Sequence, residues 1–204
     1  MSVPTIRSSS TKRREVWLAW RARIIVLSIV LLVLESYPVL AMDYAWHEDE
    51  GRVVVMASGD VQRDEATRFD DWRADHLRGR RIDAIVFDSA GGYIIGAWAL
   101  AQDVHRLGVD TGIAHRGRCV SACVMPWAAG AHKTVPYDGA VGVHECDAPI
   151  VADADACTNR YVEFLLVTGA PLRVVYAATS VPSSDVYWLT AKDFAAWNVE
   201  VTTR

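Results

Sequence analysis

Apolar positions along this chain alternate between two spacings. Residues 52–57 (Arg-Val-Val-Val-Met-Ala), 82–87 and 109–115 are short runs with the length and β-branched content of buried strands. Between them the apolar positions recur every three or four residues. Ala66, Phe69, Trp72, Ala74 and Leu77 make one stripe through the charged stretch 60–78. Ala97, Leu100, Ala101, Val104 and Leu107 make another through 94–107. Each stripe is what an amphipathic helix needs to cover one face of a sheet, and Gly79 and Gly108 stop the two helices. Further on, the pattern predicts short strands at 134–136 and 140–144, helices at 160–168, 172–179 and 193–197, and a last strand at 199–202. Residues 46–51 are acidic and polar and read as a lead-in. Strands alternating with amphipathic helices imply an α/β fold with a mainly parallel sheet and right-handed crossovers.

Composition changes this picture little in the body of the chain and a good deal at its start. With 204 residues, 51% apolar and 23% charged, the chain suits one domain with a packed core. A net charge of −4 gives no reason to expect a nucleic-acid partner. The first 41 residues differ in kind. Arg7, Lys12, Arg13, Arg14, Arg21 and Arg23 form a basic region opposed only by Glu15. An apolar run from Ile24 to Leu34 follows, too short to span a hydrocarbon core of about 30 Å unaided. Val39 and Ala41 then supply small residues at the −3 and −1 positions of a cleavage site. Residues 1–41 therefore read as a secretory signal peptide or a retained membrane anchor, and 42–204 as the folded domain.

Export gives the four cysteines a meaning, because an oxidising compartment lets them pair. Cys146 and Cys157 bracket a short polar loop rich in Asp and Ala, where a disulfide is expected. Cys119 and Cys123 flank Ser121, and their spacing leaves open either a bridge across one helical turn or two small residues packing the turn.

The chemistry-bearing residues sit in three segments. Residues 85–92 are an apolar run closing on Gly91-Gly92; Gly117 to Gly130 frames Ser121 among small residues; residues 141–144 are a β-type run ending on His144. A hydroxyl nucleophile needs a base to take its proton and N–H donors to hold an oxyanion, and these segments contain both. Taken together they resemble the Clp-type serine peptidases (ClpP-like), within the wider Clp–crotonase superfamily. There a strand ends in Asn-Ser-Pro-Gly-Gly, here in Asp88-Ser89-Ala90-Gly91-Gly92. There the nucleophile lies in Gly-x-Ala-Ala-Ser-Met-Gly followed by Ala-Ala-Gly, and 117–130 matches in register with Ser121 as nucleophile. The family histidine ends a strand a little over twenty residues later, and His144 follows Ser121 by 23. A closer likeness is to exported bacterial relatives with a Cys-x-Ser-Ala-Cys form of the elbow. The resemblance covers roughly 52–201 and implies repeated ββα units wound into a superhelix.

It also implies roles. Ser121 would be the nucleophile and His144 the general base. The N–H groups of Gly92 and Ala122 would hold the oxyanion, with Gly91 shaping the turn. The family's acid precedes an aromatic-Leu-Ser/Thr-Ala segment, which here is Trp188-Leu189-Thr190-Ala191, making Asp185 the candidate orienter at one residue more than the usual spacing. Asp193 is the substitute, and a dyad without a strong orienter is a third arrangement. Two departures stand out. Ala90 replaces the proline before the glycines, loosening that turn, and Pro126 implies a helix that is kinked or starts late.

The reading is an exported Clp-like serine hydrolase, a peptidase acting on peptide or protein substrates. It needs no cofactor or metal, leaves a homo-oligomer open, and touches membrane only through the N-terminal segment. Three rivals remain: a non-catalytic envelope protein using the scaffold for binding or assembly, a crotonase-like acyl-CoA enzyme, and a Ser–Lys variant using Lys133 or Lys192. Protein sequencing of the isolated envelope fraction should return a mature N-terminus at or near Met42. An intact N-terminus on cytosolic protein would defeat the export reading.

Overall fold

The computed structural model describes residues 41–147 and 151–203. The N-terminal basic and apolar segment falls outside them, apart from Ala41 at its end. The apolar runs become strands of a six-stranded sheet ordered β1-β2-β3-β4-β6-β9. Its members are β1 (Asp43–Asp49), β2 (Arg52–Ser58), β3 (Ala84–Asp88), β4 (Asp110–Ile113), β6 (Lys133–Pro136) and β9 (Val199–Thr202). Only the β1–β2 pair is antiparallel. A three-stranded sheet, β5-β7-β8, lies beside it, built from β5 (Arg118–Val120), β7 (Ala140–Val143) and β8 (Tyr187–Trp188).

The helices are α1 (Glu65–Leu77), α2 (Ile94–Leu107), α3 (Val124–Ala128), α4 (Val151–Val167), α5 (Leu172–Ser180) and α6 (Ala191–Ala196). Of the stripes read from sequence, Phe69 and Leu77 on α1 and Ala97, Leu100, Ala101 and Val104 on α2 are buried, Ala66, Trp72 and Leu107 are half-buried, and Ala74 is exposed. The buried ones close over Val55, Ala57, Ile85 and Phe87 of β2 and β3. Short α3 is buried on all sides, and Trp127 packs edge-on against Trp197 with ring centroids 5.5 Å apart. Pro126 occupies the first turn of α3, where its missing N–H has no helical acceptor to lose. That explains why the α-helix starts at Val124, after a 3₁₀ turn from Ser121 to Cys123.

The structure corrects the element pattern in several places. The acidic lead-in is a full edge strand, β1, because Tyr44 and the half-buried Trp46 give it one apolar face. Helix α1 starts at Glu65 rather than near 60, since Val61 pairs its backbone with the Gly91–Tyr93 segment. The loop expected between Cys146 and Cys157 is largely the first turns of α4, which begins at Val151. The short strands β5 and β8 are additional.

Gly96 shows how tightly α2 meets the segment that leads into α1. A Cβ there would sit 1.7 Å from the Gln62 carbonyl oxygen. Gly→Ala inside a helix ordinarily stabilises by roughly 0.5–1 kcal/mol. Here backbone must move to admit the methyl, and overpacking of that kind costs roughly 1–3 kcal/mol. Gly96→Ala is therefore expected to lower unfolding free energy by about 2 kcal/mol in urea titration, and a gain in stability would contradict this packing.

Candidate active site

Three parallel backbone pairings build the site. Val61 donates from its N–H to the Gly91 carbonyl at 2.7 Å and accepts from Tyr93 N–H at 2.9 Å. Ser89 is bracketed in the same way by Arg118 and Val120. Strand β5 in turn pairs with β7, Val120 opposite Gly142. The end of β3, the end of β5 and the end of β7 thus lie side by side, at the usual strand spacing of about 4.8 Å. Ser121 directly follows the last paired residue of β5, and His144 directly follows the last residue of β7.

Each segment ends in a shape that its residues dictate. Gly91 and Gly92 take φ of +114° and +132°, which L side chains rarely adopt. A Cβ on Gly91 would also lie 2.9 Å from Ser121 Cβ, so the glycine lets the two backbones touch. The turn lacks the family's proline but is tied by Ser89, whose buried hydroxyl accepts the Gly91 N–H at 3.1 Å. Gly91 C=O and Tyr93 N–H both bond the Val61 backbone, which leaves the Gly92 N–H outside that pairing. The Ala122 N–H belongs to the first residues of the 3₁₀ turn, which have no intrahelical acceptor.

Ser121 itself has φ +56°, a left-handed conformation unusual for a residue with a side chain. Such a conformation costs on the order of 1–3 kcal/mol and persists where its surroundings enforce it. Here a Cys119–Cys123 disulfide closes the elbow around it. The arrangement lifts the serine out of the strand at a strand-to-helix turn, the geometry that exposes a nucleophile. Ser121 and Gly92 line a cleft of about 610 Å³ together with Arg63, Tyr93, Ile95, Asp153 and Arg160.

The other expected residues divide. His144 is half-buried, and its Nδ1 faces the Glu145 carbonyl at 2.7 Å. No hydrogen bond joins Ser121 and His144 among the described residues. Strand register brings together the ends of β5 and β7, the strands that precede these two residues. Asp185 is exposed, and its carboxylate caps the N–H of Val186 rather than the imidazole. Asp193 is fully buried in a capping box at the start of α6, accepting from Thr190 and Tyr187 and ion-paired with Arg173. Burial pushes its carboxyl up, but those donors together hold it below the ordinary carboxylate value. Cys146 and Cys157 are disulfide-bonded. Of the two lysines, Lys133 lines a separate small pocket with His132, Asn198 and Glu200, and Lys192 is exposed.

Two supports of the site carried no sequence signal. Glu65 is fully buried, accepting from Tyr44 Oη and from the N–H of Gln62, and so fixes the residue after Val61. Tyr161 of α4 donates to the Ser121 carbonyl at 3.0 Å. The Tyr44–Glu65 and Tyr161–Ser121 bonds join residues 21 and 40 apart in sequence.

No family model matches the chain, and no curated protein is significantly similar to it in sequence. Solved structures are similar in fold. ClpP1 from Listeria monocytogenes has a TM-score of 0.58 at 11% identity, covering 74% of this chain and 91% of that one. A mutant of the 1510-N membrane-bound stomatin-specific protease has a TM-score of 0.53 at 12% identity, covering 73% and 77%. At these identities the likeness concerns the fold, which is the ClpP-like α/β fold expected from the motifs.

The left-handed serine gives a test by substitution. Glycine suits φ +56° and alanine does not, so Ser121→Gly is expected to be more stable than Ser121→Ala by roughly 1 kcal/mol. Equal stability of the two variants in urea would place Ser121 in an ordinary conformation.

Proposed function

We propose that this protein is a serine hydrolase, most simply a peptidase, working outside the cytoplasm. The observation that carries the reading is the left-handed Ser121 at the end of β5, with the Gly91–Gly92 backbone against it and the end of β7 beside it. In this reading Ser121 Oγ attacks a substrate acyl carbon while His144 takes its proton through Nε2. The N–H groups of Gly92 and Ala122 stabilise the oxyanion as the tetrahedral adduct forms. Collapse breaks the scissile bond, and the leaving amine takes the proton from His144. Water, deprotonated by the same imidazole, then hydrolyses the acyl-enzyme and restores the serine.

The imidazole has a carbonyl rather than a carboxylate on Nδ1, which favours a dyad oriented by Glu145 C=O over a triad with Asp185. A carbonyl fixes the Nδ1–H tautomer and leaves Nε2 free as base. The proteases of similar fold support peptide substrates, and the open cleft with exposed Tyr93 and Ile95 offers apolar contact for an extended chain. Two disulfides support an oxidising compartment, in agreement with a signal peptide or anchor at 1–41. The absence of a Ser121–His144 hydrogen bond among the described residues favours the second reading, a binding or assembly protein on the same scaffold.

A fluorophosphonate probe separates the two. It should label the wild-type protein and fail on Ser121→Ala, and His144→Ala should suppress labelling nearly as far, because nucleophile and base act as a unit. Asp185→Asn should label within about twofold of wild type if Glu145 C=O orients the base; a loss of tenfold or more would restore the triad. Label on Ser121→Ala equal to wild type would refute the hydrolase.

A further inference from the structure

Helix α4 contributes nothing to the chemistry just described, yet it is tied to Ser121 and to the chain two residues past His144. Cys157 is disulfide-linked to Cys146, two residues after His144, with Cα atoms 5.9 Å apart. Four residues on, Tyr161 donates its hydroxyl to the Ser121 carbonyl at 3.0 Å. Positions i and i+4 share one helix face, so both attachments are made by the same side of α4. We infer that α4 is a clamp setting the distance between nucleophile and base, with Cys146, Cys157 and Tyr161 as positioning residues. The inference rests on the hydrolase reading of Ser121 and His144.

The details fit a positioning role better than a packing one. The Ser121 carbonyl already accepts the Val124 N–H within the 3₁₀ turn. The phenol is therefore a second donor to an oxygen that is already satisfied. Tyr161 is 1% exposed, and burial raises its pKa, so it stays a neutral donor at any working pH. A phenylalanine would fill the same space without fixing that carbonyl. On the other side, β7 ends at Val143, and the chain beyond it is carried by few backbone bonds, one from Glu145 N–H to the Val181 carbonyl. The disulfide is the covalent tie nearest His144. Without it the chain that carries the base past β7 would be held by backbone bonds such as this one and by packing.

The test uses the full chain and the fluorophosphonate probe at saturating and limiting concentrations. Compared are wild type, Tyr161→Phe, the double variant Cys146→Ala/Cys157→Ala, and all three changes together. A reacting pair misplaced by about 1 Å can lose on the order of a hundredfold in rate. We expect Tyr161→Phe and the double cysteine variant each to lower the saturated labelling rate about tenfold or more. The half-saturating probe concentration and the fraction finally labelled should stay unchanged. The triple variant should lose less than the product of the two losses, because both ties control one distance. A purely structural role would instead lower the fraction labelled while leaving the rate of the folded remainder intact, and that result overturns the clamp. So do saturated rates equal to wild type in Tyr161→Phe, which keeps the buried ring if the cysteine variant fails to fold. Wild type that takes no probe counts against the hydrolase reading alone. The clamp is then read from NMR signals of the Ser121 amide and His144 ring, which must shift in Tyr161→Phe and in the cysteine variant, and unchanged signals overturn it.

Discussion

The site depends on one constraint, the parallel register that sets the ends of β3, β5 and β7 side by side. Ser89 is held between Arg118 and Val120, and Val120 stands opposite Gly142. A slip of one residue in either pairing would send every side chain of the strand to the other face. It would also part the end of β5, which leads into Ser121, from the Gly91 backbone and from the end of β7. The register is pinned from both sides. Val61 holds the glycine turn, itself fixed through Gln62 by the buried Glu65 carboxylate, and the β8 pairing holds β7. Gly142 has no room for a side chain because Val186 and Trp188 press on it. The six-stranded sheet and its helices give these pairings a rigid base, and the candidate chemistry sits where strands run out.

What could be read from the sequence follows from how local each signal is. The stripes of α1 and α2 are periodic and strong, and the helices formed there. The glycine-framed serine announced its turn, because a glycine pair and a small-residue elbow have few other uses in combination. Strand β1 escaped because it is an edge strand with charge on its open side, so only Tyr44 and Trp46 signal it in a polar context. The start of α4 escaped because Asp-Ala-Asp-Ala carries helix propensity without an apolar stripe; the buried residues, Tyr161 and Leu165, come only near its end.

The acid was the least legible part, for a physical reason. A carboxylate near an aromatic-Leu-Thr-Ala segment has three common employments: orienting a base, capping a helix, or capping a turn. Asp193 caps α6 and Asp185 caps the Val186 N–H, so the two candidates are each engaged by backbone within three residues. Local capping needs no long-range closure and outcompetes a distant imidazole unless the fold brings it close. Spacing alone cannot distinguish these uses; only tertiary structure can.

The placement of the two disulfides carries the argument furthest. The core elsewhere is closed without crosslinks, by apolar burial and a few buried polar groups such as Glu65, Thr111 and Asp193. The crosslinks fall instead at Cys119–Cys123, around Ser121, and at Cys146–Cys157, beside His144. A crosslink meant for stability gains most by closing a long loop, and these close spans of only 4 and 11 residues. Their effect is local: one encloses a serine in a conformation that side chains resist, the other ties down the strand end that bears the histidine. Both need oxidation to form, so the geometry of the site and the redox state of the compartment are linked. Without the crosslinks, strand pairing and the buried neighbours Ala122 and Val143 are what would hold Ser121 and His144.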